Sequence, residues 1–442
     1  MSWHSRVFVV AAASGLVVLA PPPRALAQDG GGEQGSGGDG AEPAAKPPEL
    51  FEQVDRKKTM SIKLPRTWKS VTPEETGPSW LATFGGFFGE ENKSANGFVE
   101  FLSFGQYQRA SLARAVILPQ NGQVKPESLH QEAGWTQGCT LDENVARWYR
   151  FVEKNGRVYA FIVSANARAY ETVRAAVEGF LGTAAVTGEF TGPPLGEGFA
   201  KKKVGEYDVT TDAEADRESS VKKSCELLGT AREIMAKAMP GKPFDAGRPS
   251  AWIFQNGSKF ETRAKSAGYA EPPDGVFNPP DRCSMVKILG EGTQGYNEAV
   301  YAAGAEQYLW QYFGGTPPLW LVIGLREYAK DMALGGGKKF PADLVGKTKS
   351  AIAAGKRRLD QWFDVATSAE IKDDGQAQLE LFGWHAYFRI GRGAKKFKKN
   401  YDAYLQSLRD TGDPAAARKA FDGVNMDELL QDFKSWGNDW KQ

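Results

Sequence analysis

The sequence predicts an α+β protein of two domains: an N-terminal α/β sandwich domain, then a mainly helical domain with a small sheet. Three observations carry this reading. Short runs that alternate apolar and polar residues fall before residue 186, as half-buried strands require. Asn155-Gly156 sits between two β-rich runs, where its tolerance of positive φ suits a two-residue hairpin turn. Beyond Asn297, apolar residues recur at helical spacing almost to the end. A length of 442 residues, 41% hydrophobic and 12% aromatic, is enough for two or three packed cores.

The chain opens on an export address. Arg6 precedes an apolar run over 7–20, and Ala25-Leu26-Ala27 gives the small-x-small pattern of a signal-peptidase site. The mature protein is therefore expected to begin at Gln28, in the periplasm or outside the cell. The run is shorter than the roughly 20 residues a spanning helix needs. No later stretch is long and apolar enough to span a bilayer, so no integral membrane segment is expected after cleavage. Residues 28–49 are rich in Gly, Pro and Ala and read as a disordered linker.

Residues 50–186 form the first domain. Met60-Ser-Ile-Lys-Leu-Pro65 alternates as a strand, and 98–104 is a second strand. The runs 147–153 and 157–164 are the two arms of the hairpin. Residues 167–181 place Tyr170, Val173, Val177 and Leu181 on one helical face. This order of strand, sheet, hairpin and closing helix, opened by Ile62-Lys-Leu-Pro-Arg-Thr-Trp68, resembles PsbP-like domains. The resemblance implies a binding module without a catalytic motif.

Residues 187–206, with Gly, Pro and the Lys201-Lys-Lys203 run, read as a linker and a solvated segment. The second domain spans 207–442. Its expected elements are a strand at 207–212, a long helix over 213–239, a buried strand at 251–254, a helix at 258–266 and a strand at 285–289. In the last helix Asn425 and Glu428 form a variant capping box. Met426, Leu429, Leu430, Phe433, Trp436 and Trp440 make its apolar stripe.

Several stations in 207–436 match a known pattern in order. They are Tyr-x-Val-x-Thr-Asp before a long helix, Trp252-Ile-Phe before Lys259-Phe260, Gly275-Val-Phe277, a helix over 296–313, then Pro318-Leu-Trp-Leu-Val-Ile-Gly-Leu-Arg-Glu-Tyr328. This half resembles the gluzincin-type, peptidase-MA-like secreted zinc metallopeptidases. There a His-Glu-x-x-His helix supplies two ligands and the general base, and Pro-x-Trp-Leu-x-Glu-Gly supplies the third ligand. On those positions this chain has Gly304 and Tyr308 for the imidazoles, Ala305 for the base and Ile323 for the third ligand. A shifted register cannot help, because beyond the leader only His130 and His385 exist. The resemblance therefore implies a pseudopeptidase, with no catalytic residue, no metal and no cofactor. If the alignment is right, Gly304→His, Ala305→Glu, Tyr308→His and Ile323→Glu together would rebuild a zinc site.

Without the metal, Gly304, Tyr308, Trp320 and Ile323 are expected to line an apolar cleft, with Glu306 and Glu327 beside it, holding a protein or peptide that is not cut. Two other readings stay open. One is a hydrolase with a replaced, metal-independent site around Glu306 and Tyr308, or at Cys283. The other is a structural domain whose cleft has filled in. No phosphate loop, serine elbow or Cys-x-x-Cys pair is present. Removing residues 1–27 takes away Arg6 and Arg24 and no acid, so the near-neutral charge gives no case for nucleic acid. Of Cys139, Cys225 and Cys283, an oxidised chain could pair Cys225 with Cys283, or keep three buried thiols.

Overall fold

A computed structural model describes residues 49–440, apart from 57, 72–79, 90–93, 107–108, 119–120, 133–134, 155–156, 189–194, 196–197, 268, 270, 366–370, 372–374 and 392–393. The leader, residues 28–48 and the Asn155-Gly156 turn lie outside the described residues.

The first half contains β1 (Leu50–Val54), β2 (Met60–Pro65), β3 (Lys69–Val71), β4 (Trp80–Phe87), β5 (Asn96–Gln106) and α1 (Ala110–Ile117). It continues with β6 (Gln123–Val124), β7 (His130–Glu132), β8 (Trp135–Leu141), β9 (Val145–Lys154), β10 (Arg157–Asn166), α2 (Tyr170–Gly182) and β11 (Ala185–Val186). An antiparallel sheet runs β3-β4-β5-β10-β9-β8-β6, with β7 also on β8, and a small sheet runs β1-β2-β11. The two hairpin arms pair along their whole length, Arg157 opposite Lys154 through Asn166 opposite Val145. In β2, Met60, Ile62 and Leu64 are buried while Lys63 is exposed. Those three join Tyr170, Val173, Val177 and Leu181 of α2 in one core. On the opposite face α1 covers Leu102, Phe151, Ala160 and Ile162. The large sheet is thus buried on both sides.

The second half begins earlier than expected. Residues 200–204 are a strand, β12 (Ala200–Val204), paired antiparallel with β13 (Tyr207–Thr211). The lysine run is therefore not linker but the sheet's edge, where outward lysines stay solvated and discourage pairing with another chain. The next elements are α3 (Glu218–Ala238), β14 (Ser250–Phe254), α4 (Gly257–Ser266), β15 (Gly275–Asn278) and β16 (Cys283–Lys287). Among the described residues, the α-helices that follow are α5 (Gln294–Phe313), α6 (Leu319–Leu334), α7 (Ala342–Ala354), α8 (Leu359–Phe363), α9 (Gln376–Ile390), α10 (Lys395–Thr411), α11 (Pro414–Arg418) and α12 (Met426–Asp439). The sheet order is β12-β13-β14-β16-β15, with β13, β14 and β16 parallel. Helix α3 starts five residues after the expected 213, because Asp212 turns back to accept from the Gln255 amide and a 3-10 turn follows at Ala215–Arg217. Strand β16 ends at Lys287, and Leu289, expected inside it, is 66% exposed. In α12, Asn425 accepts from the Glu428 amide as expected, while the Glu428 side chain turns to Lys396.

All three cysteines are free and buried. The Cys225–Cys283 pairing is not made, because Cys225 lies in the core between the sheet and α3, and Cys283 in the cluster with α4.

The helical core is aromatic. His385 is fully buried, its Nδ1 shares a hydrogen bond with the Tyr401 hydroxyl, and its ring stacks on Trp320 at 5.1 Å. Burial drives its pKa down to about 3, so it is neutral. A Cβ on Gly324 would stand 2.1 Å from His385 Cδ2 and 2.8 Å from the Leu381 carbonyl oxygen. Gly324→Ala should therefore force α6 and α9 apart and cost about 1–3 kcal/mol. Gly346→Ala, where a Cβ meets nothing within 4 Å, should be neutral or stabilise by about 0.5–1 kcal/mol. Urea unfolding of both variants checks this pair.

Glu380 is buried, accepts from Trp362 Nε1 at 3.3 Å and lies against Gly355. Burial pushes its pKa up from 4.5 to about 7. The folded value lies above the unfolded one, so this group's stabilisation is complete below pH 4.5 and is lost as pH rises through about 7. Glu380→Gln should flatten that part of the profile, seen as a smaller fall in melting temperature between pH 5 and pH 8.

Candidate functional site

Helix α5 packs simultaneously on α3, the sheet and α6. Residues four apart on a helix share a face, and residues two apart do not. Gly304 and Tyr308 turn to α3. A Cβ on Gly304 would come within 2.6 Å of the Leu228 carbonyl oxygen, and the Tyr308 ring lies 5.5 Å from the Arg232 guanidinium carbon. Gln307 turns to the sheet, donating from Nε2 to the carbonyl oxygens of Ser250 at 2.7 Å and Arg282 at 3.3 Å. Glu306 turns to α6, where Arg326 Nη1 donates to its Oε1 at 3.1 Å.

This arrangement corrects the expected cleft. Gly304, Tyr308, Trp320 and Ile323 line no groove: Trp320 is fully buried among Phe363, His385 and Tyr404, and Ala305, Tyr308 and Ile323 belong to the same closed core. Glu306 and Tyr308 point from different faces of α5, so they do not form the joint site of the replaced-chemistry reading. Nor can the residues present hold zinc. Gly304, Ala305, Tyr308 and Ile323 offer no ligand, and no group of three His, Cys, Asp or Glu among the described residues could bind a metal. A histidine at 304 would run into the α3 backbone, which bars rebuilding the site there. Cys283 is fully buried and burial pushes its thiol well up, which disfavours the nucleophilic thiolate.

What the two helices do bring together is a ladder of charge. Arg326 reaches Glu306 on one side and Glu327 on the other, with Nη2 at 2.8 Å from Glu327 Oε1. Lys330 pairs with Glu327 and lies 3.7 Å from Asp331. Burial opposes the charge on Arg326, but Glu327 and Glu306 outweigh it and hold the proton more firmly. Burial alone would raise Glu327, yet Lys330 and Arg326 keep it well below the usual carboxylate range. For Glu306 burial wins and pushes the carboxyl up, with Arg326 opposing. The contact is a charge-assisted hydrogen bond from Arg326, because a guanidinium flanked by two carboxyl groups does not give up its proton.

Glu306 also borders a shallow depression of about 260 Å³, open mouth included, with Phe277, Pro279, Leu309, Trp310 and Pro317 around it. Its exposed walls are apolar. Glu306 and Glu327 were legible in the sequence as carboxylates on the helices concerned. Arg326 was missed, though an arginine beside Glu327, on the helix facing a lone buried-helix carboxylate, was the available signal.

No protein-family model matches the chain, and no curated protein matches it. Among solved structures it is similar to cyanobacterial PsbP (CyanoP) from Synechocystis, at 13% identity and a TM-score of 0.25, over 34% of this chain and 98% of that one. It is similar to the Saccharomyces cerevisiae Ran-binding protein Mog1p, at 12% identity and a TM-score of 0.25, over 31% of this chain and 95% of that one. A third is LpqN, involved in cell envelope biogenesis of Mycobacterium tuberculosis, at 12% identity and a TM-score of 0.22, over 32% of this chain and 91% of that one.

The ladder makes a quantitative prediction. Arg326→Met leaves Glu306 buried without its partner and should cost about 3–5 kcal/mol. Adding Glu306→Leu removes the stranded carboxylate and should recover most of the loss. Chemical denaturation of the single and double variants measures both, and a double variant no better than Arg326→Met alone would sink the assignment.

Proposed function

We propose that this chain is an exported, non-catalytic binding protein. In this reading its C-terminal domain is a metallopeptidase-like, gluzincin-type fold that has lost its metal, joined to a PsbP-like domain. It holds a protein or peptide by an apolar side chain seated in the depression beside Glu306. The single observation that carries the reading is the Glu306–Arg326–Glu327 bridge between α5 and α6. In the family the chain resembles, ligands from this pair of helices meet on a metal. Here a guanidinium, fixed to its own backbone, takes the joining role and leaves no Lewis acid to activate water. The leader supports export, and no helix among the described residues is long and apolar enough to cross a membrane.

A second reading, a structural domain with its cleft filled in, draws on the packing around Trp320 and Ile323. One experiment separates binding, structure and catalysis. The mature chain is incubated with fluorescein-labelled casein, following both turnover and fluorescence anisotropy. The binding reading expects a rise in anisotropy with no fragments, and loss of the rise in Thr316→Trp, which puts a ring into the depression that the partly exposed Thr316 lines. Fragments that vanish in Glu306→Gln would establish catalysis instead. An unchanged anisotropy would favour the structural reading.

A further inference from the structure

Strand β5 carries an acid among apolar neighbours. Val99 and Phe101 enter the core under α2, and Leu102 enters the core under α1. The alternation puts Glu100 on the α1 face of the sheet. There it stands in one row with Thr83 of β4, Ile162 of β10 and Tyr149 of β9. Residues directly opposite on neighbouring strands share a face, with Cβ atoms about 5 Å apart. Thr83 anchors the Trp80 indole, whose Nε1 donates to its Oγ1 at 2.8 Å. Trp80 also packs against the core under α1. Phe98, two residues before Glu100, stands opposite Gly85, where a Cβ would lie 3.2 Å from its ring. Glu100 is thus flanked along the sheet by two aromatic side chains, and all three are half-buried.

The polar groups of this row are unsatisfied. Among the described residues, no hydrogen bond or ion pair reaches the Glu100 carboxyl. Arg147 of β9 acts on it electrostatically, but the Arg147 Nη1 donates to Asp142 at 3.0 Å and to the Asn121 carbonyl oxygen at 3.3 Å. Tyr149 is fully buried, its hydroxyl has no hydrogen-bond partner, and it lies within electrostatic reach of Glu100. Burial pushes the Glu100 carboxyl up to about 7, with Arg147 opposing. An acid and a hydroxyl buried in this way cost stability. They are also what a cation with several N–H donors needs. The carboxylate and the phenol oxygen accept, and the faces of the rings attract the charge.

We propose that Glu100 and Tyr149, with Trp80 and Phe98 as walls, form a binding site for an organic ammonium group, carried by a free alkylamine or by a lysine of a partner chain. The group donates one N–H to the Glu100 carboxylate and another to the Tyr149 hydroxyl oxygen. Its alkyl stem leaves past Phe98 and the residue opposite it, Ser164 of β10, both half-buried. A hard metal ion fits poorly, because it asks for several oxygen ligands and the row offers one carboxylate. An anion is turned away by the same carboxylate. The site uses none of the residues around the depression beside Glu306, so either reading can fail alone.

The test titrates n-butylammonium into the full mature chain and follows the Trp80 indole N–H by NMR, assigned through Trp80→Phe. A saturable shift is expected at pH 8. The probe stays protonated between pH 6 and pH 8, as a lysine does. The Tyr149 phenol, held up by burial, stays neutral there, and an arginine such as Arg147 does not titrate there. Glu100 does: with its carboxyl at about 7, about a tenth is ionised at pH 6 and about nine tenths at pH 8. Apparent affinity should therefore be about tenfold weaker at pH 6. Glu100→Gln should abolish saturation at both pH values, and Tyr149→Phe should weaken binding at pH 8 about tenfold. No saturable shift at pH 8 means that water alone serves these groups and overturns the site. Binding that survives Glu100→Gln, or that ignores pH, overturns it as well. If Glu100→Gln loses its circular dichroism, Tyr149→Phe and the pH dependence of the wild type decide by the same criteria. A parallel titration with Nα-acetyl-lysine methylamide names the source. Equal affinity for the two probes assigns the site to free amines, and tighter binding of the lysine derivative assigns it to a partner's side chain.

Discussion

A guanidinium placed between two packed helices has to be met from both sides, or the helices cannot close. Arg326 is met by Glu306 from α5 and by its neighbour Glu327, and Glu327 is in turn met by Lys330. The register of α5 against α6 follows from this, because sliding either helix by one residue would leave a buried charge alone. The same register sends Gly304 against the α3 backbone and Gln307 onto the sheet carbonyls. One ion pair therefore fixes which face of α5 looks where. Such pairs specify an arrangement more than they stabilise it, since the cost of desolvating the ions offsets most of their attraction.

Stability must then come from elsewhere, and the aromatic residues are where it lies. Trp320 touches Phe363, His385 and Tyr404. Trp384 stacks on Phe433 at 3.7 Å, and Phe388 stacks on Tyr401 at 4.3 Å. Each such ring buries a large apolar area. They draw α6, α9, α10 and α12 into one body. His385 shows how thoroughly polarity has been surrendered to packing: its imidazole is held neutral, stacked, and hydrogen-bonded to a tyrosine.

Much of the fold was legible because local chemistry and tertiary structure agree in it. The alternation in β2, the hairpin arms and the faces of α2 and α12 all report burial directly through residue spacing. The Lys201–Lys203 run misled because an edge strand and a solvated loop share the same demand, water on one side, and only the pairing partner tells them apart. The candidate site failed for a different reason. Residue types on α5 could show that ligands were absent from Gly304, Ala305 and Tyr308. They could not show that the vacated side of the helix had been taken over by α3, because that depends on how closely the Leu228 backbone approaches. Arg326 stayed hidden because a lone arginine on a helix reads as surface until its facing carboxylate is known.

The two halves of the chain meet under the same logic that operates inside the second. Helix α10 ends at Gly412 in a left-handed turn that returns one amide to the Leu408 carbonyl oxygen and leaves the carbonyls of Arg409 and Asp410 to be satisfied from outside. Water would serve. Instead Arg109 satisfies both, and a side chain on Gly412 would collide with its Nε at 2.6 Å. Glycine at that position is therefore needed twice over, for its backbone angle and for the room it leaves to the incoming arginine. An isolated domain gains only the first of these. The second has a physical rationale only in a chain whose N-terminal domain docks there, which makes the docked arrangement part of what the sequence of the helical domain encodes.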